Sequence, residues 1–265
     1  MANGFPIGIF DSGIGGLTVF KELSAMLPCE DILYLGDTAR VPYGTRSAET
    51  VARYSFECTD FLVSKQIKVL VVACNTVSAI SLNDIRNRVA IPVIGVIEPG
   101  ARAAVAATKN RKIGVIGTEA TIKSSAYLSA IRDLDDAAEI FGLACPLFVP
   151  LVEEGWTEGE IARLVAEKYL VALKDKGIDT IVLGCTHYPL MKEVIRDVMK
   201  GVSIIDSAVE TGKALMGVLS EGPLLNMSNA AGTHKFFVTD SAEKFVAVGE
   251  RFLGREIREI EKIRL

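Results

Sequence analysis

The chain contains the stretch Lys68-Val69-Leu70-Val71-Val72-Ala73-Cys74-Asn75-Thr76, in which five apolar residues run directly into a cysteine. A similar stretch lies far downstream, Thr180-Ile181-Val182-Leu183-Gly184-Cys185-Thr186-His187. In both, a pattern typical of a buried strand ends on a thiol, and a small polar residue that can begin a helix follows. We therefore predict one site assembled from two parts of the chain, in which two cysteines act as opposed acid and base.

Outward from these stretches, apolar strands and amphipathic helices alternate along nearly the whole chain. An early strand at residues 7–10 has a counterpart at residues 112–117, which suggests two similar halves. The strands lack a period of two, as is typical of parallel strands covered on both faces. We predict an α/β fold of two similar domains, each a mainly parallel sheet flanked by helices, with the active site in the cleft between them. Residues 1–98 with 208–265 would form the first domain and residues 99–207 the second.

Three local features complete the predicted secondary structure. Thr157, with Glu160 three residues later, is a capping box that predicts the start of a long helix. Residues 153–156 are expected to form a loop. The tail at residues 255–265 mixes charges with isoleucines, and the pattern leaves helix and extended structure both open.

Composition and charge exclude several classes of protein. The chain has 29 Lys and Arg against 33 Asp and Glu, a net charge of −4, and no basic cluster, so no nucleic-acid partner is expected. The apolar runs are far shorter than the roughly 20 residues that cross a bilayer. No secretory signal is visible at the start, so we expect no membrane association and a cytoplasmic location. Five cysteines without a CxxC spacing argue against a disulfide framework or a zinc site.

Polar residues cluster where the predicted strands end. In open parallel sheets, ligands bind outside the carboxyl ends of the strands. The polar residues at those ends are Asp11-Ser12, Asp37, Cys74-Asn75-Thr76, Thr118, Cys185-Thr186-His187 and Asp206-Ser207. The sequence therefore predicts one polar site along this edge.

Not every cysteine is a candidate for chemistry. Cys29, Cys58 and Cys145 are interpreted as structural or incidental, because cysteine is often merely a small buried residue. Cys74 and Cys185 differ, because a strand end beside a helix N-terminus is where a thiolate is stabilised.

Four further features are weighed beside the two thiols. His187 lies two residues from Cys185 and can hold or exchange its proton, whereas His234 is interpreted as structural. Asp11 either caps the following helix or acts on Cys74. In the second case its carboxylate accepts the proton of the thiol or orients the thiol. A loop carrying Glu153 could approach His187. The glycines at positions 13, 15 and 16 lack the dinucleotide spacing and predict a tight turn that presents amide groups to an anion.

Five motifs of the chain together resemble those of a known family. The motifs are Phe10-Asp11-Ser12-Gly13-Ile14-Gly15-Gly16-Leu17, Gly36-Asp37-Thr38, Val41-Pro42-Tyr43-Gly44, Ala73-Cys74-Asn75-Thr76 and Gly184-Cys185-Thr186-His187-Tyr188-Pro189-Leu190. In this order they resemble the cofactor-independent aspartate/glutamate racemases, and they extend over most of the chain. One departure is Val77, where alanine is expected, which affects packing more than chemistry.

The resemblance implies a role for each candidate residue. Cys74 and Cys185 would face opposite sides of the substrate α-carbon, with Cys74 acting on the D-isomer and Cys185 on the L-isomer. Asp11 would assist Cys74, His187 would assist Cys185, and Glu153 would lie near His187. The implied substrate-binding residues are Asp11, Ser12, Pro42, Tyr43, Gly44, Asn75, Thr76, Thr118, Thr121, Thr186 and His187.

The resemblance also implies the substrate and the biological context. Glutamate in either configuration would be the small-molecule substrate, no cofactor or metal would take part, and the product D-glutamate would serve peptidoglycan synthesis. A homodimer is left open.

Three alternatives remain at this stage. A racemase for aspartate or hydantoins, or a related isomerase or decarboxylase, would share the fold. A two-lobed periplasmic-type binding protein is disfavoured by the paired thiols and the missing signal. A thiol redox protein would normally have a CxxC spacing.

Overall fold

A computed structural model describes residues 4–228 and 230–265 of the chain. The strands in these ranges are β1 (Ile7–Asp11), β2 (Ile32–Gly36), β3 (Val69–Val72), β4 (Val93–Gly95), β5 (Lys112–Gly117), β6 (Glu139–Ala144), β7 (Thr180–Gly184), β8 (Ser203–Asp206), β9 (His234–Val238) and β10 (Ile260–Lys262). The helices are α1 (Leu17–Met26), α2 (Ala48–Ser64), α3 (Asn75–Ile80), α4 (Leu82–Arg88), α5 (Ile97–Ala107), α6 (Glu119–Lys123), α7 (Ala126–Arg132), α8 (Phe148–Glu153), α9 (Gly159–Lys174), α10 (Lys192–Val198), α11 (Ser207–Glu221) and α12 (Ala242–Leu253). Short 3₁₀ turns cover Tyr43–Thr45 and Tyr188–Met191.

The strands form two parallel sheets. The first has the order β10-β9-β2-β1-β3-β4 and the second the order β6-β5-β7-β8. The α/β fold with two parallel sheets flanked by helices is thereby confirmed. Strands of the first sheet fall within residues 1–98 and 208–265, and those of the second within 99–207. The domain boundaries stay a prediction.

Strand β3 explains why the opening stretch organises the first sheet. All four of its side chains are fully buried. Val69 and Val71 pack into the core on one face of the sheet, and Leu70 and Val72 pack into the core on the other. Each buried side chain of this size contributes about 1.5–3 kcal/mol. The continuous apolar run is therefore the consequence of helices on both faces.

Two local predictions are wrong. Residues 148–153 form α8, so Glu153 ends a helix instead of lying in a loop. Thr157 does not cap α9, which begins at Gly159 after an N-cap at Glu158 without a side-chain bond. Gly159 has φ +85°, in the left-handed region that favours glycine. This backbone turn places the start of the helix two residues after the expected cap. The undecided tail contains strand β10, which pairs in parallel with β9.

Close contacts join the two halves at the strand ends. The Thr18 hydroxyl donates to the carbonyl oxygen of Thr186 at 2.8 Å, and the Tyr127 hydroxyl donates to Asn75 Oδ1 at 2.7 Å. Gly15 lies so near the Cys185 loop that a Cβ there would come within 2.3 Å of Thr186 Oγ1. Only glycine allows this approach. Among the described residues, no helix combines the length and apolar character needed to cross a bilayer.

Candidate active site

A cavity of about 330 Å³ lies where the carboxyl ends of β1, β3, β5 and β7 face one another. Cys74, which follows β3 in the first sheet, and Cys185, which follows β7 in the second, both line it. Both thiols are free and nearly buried. The prediction that the two strand-end thiols belong to one cleft is therefore matched by their positions.

Most of the predicted site residues lie at this cavity. Those that line it are Ser12, Pro42, Tyr43, Gly44, Cys74, Asn75, Thr76, Thr118, Glu153, Cys185, Thr186 and His187. Asp11 and Thr121 are fully buried or nearly so and lie behind the lining. Six further lining residues were not predicted as site residues: Val41, Thr45, Glu119, Pro146, Val149 and Pro150. Only Glu119 gave a usable signal, as an acid directly after the strand end at Thr118.

The Cys74 side of the cavity favours the neutral form of its thiol. Cys74 is the N-cap of α3, and its Sγ lies 3.6 Å from Ser12 Oγ. Burial and the nearby charge of Asp11 raise the pKa of Cys74 to about 12. Burial also raises the pKa of Asp11, against the opposing charge of His187.

Asp11 is held by the turn that follows β1. Its Oδ2 accepts the Gly13 N–H at 2.9 Å, while its Oδ1 has no hydrogen-bond partner among the described side chains and backbone groups. Helix α1 begins after Gly16 without a side-chain cap. Of the two roles considered for Asp11, helix capping is therefore wrong.

The Cys185 side pairs the thiol with an imidazole. Cys185 Sγ lies 3.8 Å from His187 Nδ1, and His187 Nε2 lies 3.2 Å from Glu153 Oε1. Burial opposes a charge on His187, but the hydrogen bonds to Cys185 and Glu153 outweigh it and raise the pKa of His187 to about 10. The hydrogen bond from His187 lowers the pKa of Glu153. An imidazolium held in this way stabilises a neighbouring thiolate.

Neutral polar groups line the space between the two thiols. Asn75 uses Oδ1 to accept from Tyr127, and its buried Nδ2 has no partner in the described part of the chain. The hydroxyl of Thr76 lies 3.0 Å from that of Thr118 and 3.4 Å from that of Thr121. Donors of this kind can bind the carboxylates of a small anion.

A buried carboxylate holds the Tyr43 segment in place. Asp37 is fully buried and accepts hydrogen bonds from the hydroxyls of Tyr43 and, at 2.8 Å, Thr239, and it also pairs with Arg40. The Tyr43 hydroxyl is thus engaged, which leaves the ring and backbone of this residue to line the cavity.

The arrangement can perform proton transfer from two sides. Each thiol has its own ionisable helper, and neither Lys nor Arg is among the lining residues. Within residues 4–228 and 230–265, no group of three or more His, Cys, Asp or Glu side chains is arranged to hold a metal ion.

Comparison with known proteins relates this cavity to one family. The model of the family described as Asp/Glu/Hydantoin racemase matches residues 12–214. A glutamate racemase of Geobacter metallireducens is 54% identical over 260 residues, which are 98% of this chain and 96% of that protein.

Solved structures agree with that match. The glutamate racemase of Francisella tularensis, in complex with D-glutamate, has a TM-score of 0.93 at 42% identity and covers 98% of both chains. An isoform of the enzyme from Bacillus anthracis has a TM-score of 0.96 at 42% identity, covering 99% of this chain and 98% of its own. The chain belongs to the Asp/Glu/Hydantoin racemase family.

Proposed function

We propose that this protein is a glutamate racemase that interconverts L- and D-glutamate with two cysteines and without a cofactor. The observation that carries the proposal is that Cys74 and Cys185, from two different sheets, line the same cavity. The substrate is inferred from the relatives, which are glutamate racemases. The chain matches them over nearly their whole length. One of them was solved with D-glutamate bound.

Inversion at the α-carbon requires two groups on opposite faces, because a single base would return the proton to the face from which it came. Starting from L-glutamate, the Cys185 thiolate takes the α-proton, and the electron pair of the broken C–H bond is left on the α-carbon and delocalised into its carboxylate. The Cys74 thiol then gives its proton to the other face. In the reverse direction the two thiols exchange roles.

The neighbours of each thiol suit these roles. His187 stabilises the Cys185 thiolate at 3.8 Å, and Glu153 holds His187 in its charged form. Burial and the charge of Asp11 raise the pKa of Cys74, so this thiol keeps its proton until the proton is given to the substrate. Because the α-proton is far less acidic than a thiol, positioning and exclusion of water must supply most of the rate.

The substrate carboxylates are bound by neutral donors in this proposal. The unpartnered Nδ2 of Asn75 and the hydroxyls of Ser12, Thr76, Thr118 and Thr186 face the cavity or its wall. The backbone of Tyr43 and Gly44 supplies further N–H groups at the cavity rim. Thr121 supports Thr76 and Thr118 from behind.

The same proposal places the protein in cell-wall synthesis. D-Glutamate made by this reaction would supply peptidoglycan, and the reaction would take place in the cytoplasm.

The proposal is tested by incubating either glutamate enantiomer with the protein in D₂O. Circular dichroism follows the loss of optical activity, and proton NMR follows the α-position. We expect deuterium in the product of inverted configuration, and loss of racemisation in both Cys74→Ala and Cys185→Ala, with Cys29→Ala as the matched control.

Each result has a distinct meaning. If the unsubstituted protein exchanges no α-proton of glutamate, the proposed function is wrong. Racemisation of aspartate but not glutamate in a parallel incubation would correct the substrate. If both cysteine variants retain full racemisation, the two-thiol mechanism is wrong.

A further inference from the structure

Helix α12 reaches across from the first sheet to the residues that flank Cys185. It belongs to the segment that returns to the first sheet after β9, and it packs against α1. Three of its side chains contact or act on a pair of residues near Cys185. The pair consists of Glu153, which ends α8, and His187, which follows β7. The three side chains differ in chemistry: Arg251 donates a hydrogen bond, Phe252 is aromatic and Lys244 acts through its charge.

Arg251 holds the backbone of Glu153. Its Nη2 donates to the Glu153 carbonyl oxygen at 2.7 Å. Glu153 is the last residue of α8, where carbonyl groups lack partners within the helix and a cation is favourable. Gly155 follows with φ +81°, and a Cβ there would come within 2.5 Å of Arg251 Nη1. The glycine therefore provides both the turn and the room for the guanidinium.

Phe252 packs against the imidazole itself. Its ring centroid lies 5.8 Å from that of His187 at an interplanar angle of 86°, an edge-to-face contact. Phe252 is almost fully buried, and its carbonyl oxygen accepts from Lys21 Nζ on α1 at 3.4 Å. The backbone of Phe252 is thus tied to α1, and its buried ring packs edge-to-face against His187.

Lys244 acts on the same carboxylate through its charge. Seven residues before Arg251, it lies on the same face of α12. After the hydrogen bond and charge of His187, the Lys244 charge is a further cause that lowers the pKa of Glu153. One face of α12 therefore acts on both residues of the pair. It binds the backbone of Glu153, lowers the pKa of the Glu153 carboxyl, and packs against the ring of His187.

We propose that Arg251 and Phe252 are positioning residues for proton transfer at Cys185, acting through Glu153 and His187. The expected effect on kinetics rests on the proposed racemase function. The expected effect on the position and titration of His187 does not. Arg251 fixes where the Glu153 carboxylate lies relative to His187 Nε2. Phe252 fixes the ring plane that presents Nδ1 to Cys185.

The structural consequence is tested without substrate. The chain has only two histidines, so NMR can follow the His187 imidazole in the free protein against His234. The titratable groups that face His187 are Cys185 on its own loop, Glu153 at the end of α8 and Asp11 at the end of β1. In Arg251→Met we expect the pKa of His187 to fall, because the Glu153 carboxylate is no longer fixed beside Nε2.

The kinetic consequence is tested with glutamate deuterated at the α-carbon. In Arg251→Met we expect kcat/KM to fall about tenfold, below the 10²–10⁴-fold that a proton-transfer group itself contributes. The primary isotope effect on kcat/KM should rise for L-glutamate, whose proton Cys185 removes, and fall for D-glutamate. Phe252→Leu should show the same asymmetry. Arg251→Lys, which keeps a donor, should restore most of the rate, and the exposed Arg258→Met is the matched control.

The outcomes separate the two proposals. An unchanged His187 pKa in Arg251→Met overturns the positioning role whatever the protein's activity. A fall in rate with both isotope effects unchanged and no rescue by lysine reflects general loss of structure and also overturns it. Absence of glutamate racemisation in the unsubstituted protein overturns the proposed function and leaves the titration result to stand by itself.

Discussion

His187→Asn removes the imidazole that lines the cavity and retains a polar amide near the position of Nδ1. In the structure, Nδ1 lies 3.8 Å from Cys185 Sγ. Two opposite unit charges at that separation interact by about 4 kcal/mol at an effective dielectric constant of about 20. Since about 1.4 kcal/mol corresponds to a tenfold rate change, removal of this interaction lowers kcat/KM by up to about 10³-fold. The amide dipole of asparagine offsets part of that loss, so we expect about 10²–10³-fold.

The expected loss of activity differs between the two directions in kcat and KM but not in kcat/KM. Because the two enantiomers have equal free energies in water, kcat/KM must remain equal in both directions in every variant. The asymmetry therefore appears in kcat and KM separately, with the larger loss of kcat in the direction that begins at Cys185. It also appears in the isotope effects, which should increase with α-deuterated L-glutamate and decrease with the D-isomer.

The assay follows circular dichroism from each pure enantiomer, protiated and deuterated. His234→Asn is the control, since His234 lies on β9 beside Arg255 and Phe20, away from the cavity. Activity of His187→Asn within about threefold of the unsubstituted protein would refute the electrostatic reasoning. Equal changes of kcat in both directions would refute the assignment of His187 to Cys185.

Two further predictions concern stability. Since the pKa of His187 is raised from 6.5 to about 10 on folding, its charged form stabilises the protein fully below pH 6.5, and this contribution is lost as pH rises through about 10. Urea denaturation of the unsubstituted protein and of His187→Asn should therefore give a difference in unfolding free energy that shrinks over this pH range. A difference that does not change with pH would contradict the prediction. Lys68 and Glu30 form a buried ion pair with 0% and 2% side-chain exposure, so Lys68→Met should cost about 3–5 kcal/mol. The control Lys235→Met breaks an exposed pair with Glu261 and should destabilise the protein far less, because solvent screens these two charges. Equal losses in the two variants would contradict the reasoning.

The strand-end thiols could be placed from the sequence because a physical rule connects position and topology. A buried parallel strand is a continuous apolar run, and the residue after it must lie at the carboxyl edge of the sheet. Cys74 and Cys185 satisfy that rule, as do Ser12 and Thr118. Their shared cavity follows once the two sheets face each other.

Other features depend on contacts that leave no local pattern. Helix α8 has only six residues, with Pro150 in its first turn, where proline is tolerated, so its periodicity cannot be recognised. The start of α9 is set by the backbone of Gly159, which overrides the capping box at Thr157. The contact from Arg251 to Glu153 joins residues far apart in sequence and is visible only in the fold.

The two half-sites are alike in backbone position and unlike in charge. Cys74 lies near a carboxyl group and has a pKa raised to about 12 by burial and by Asp11, so it retains its proton at neutral pH. Cys185 lies beside His187, whose pKa of about 10 keeps the imidazole charged over the same range. In the proposed mechanism, L-glutamate therefore gives up its α-proton on the side of the charged imidazole and receives a proton from Cys74. Turnover of L-glutamate reverses both protonation states, so a proton must return before the same direction can be repeated. The reaction of D-glutamate begins from that reversed state, which makes the two directions kinetically distinct although the substrates are mirror images.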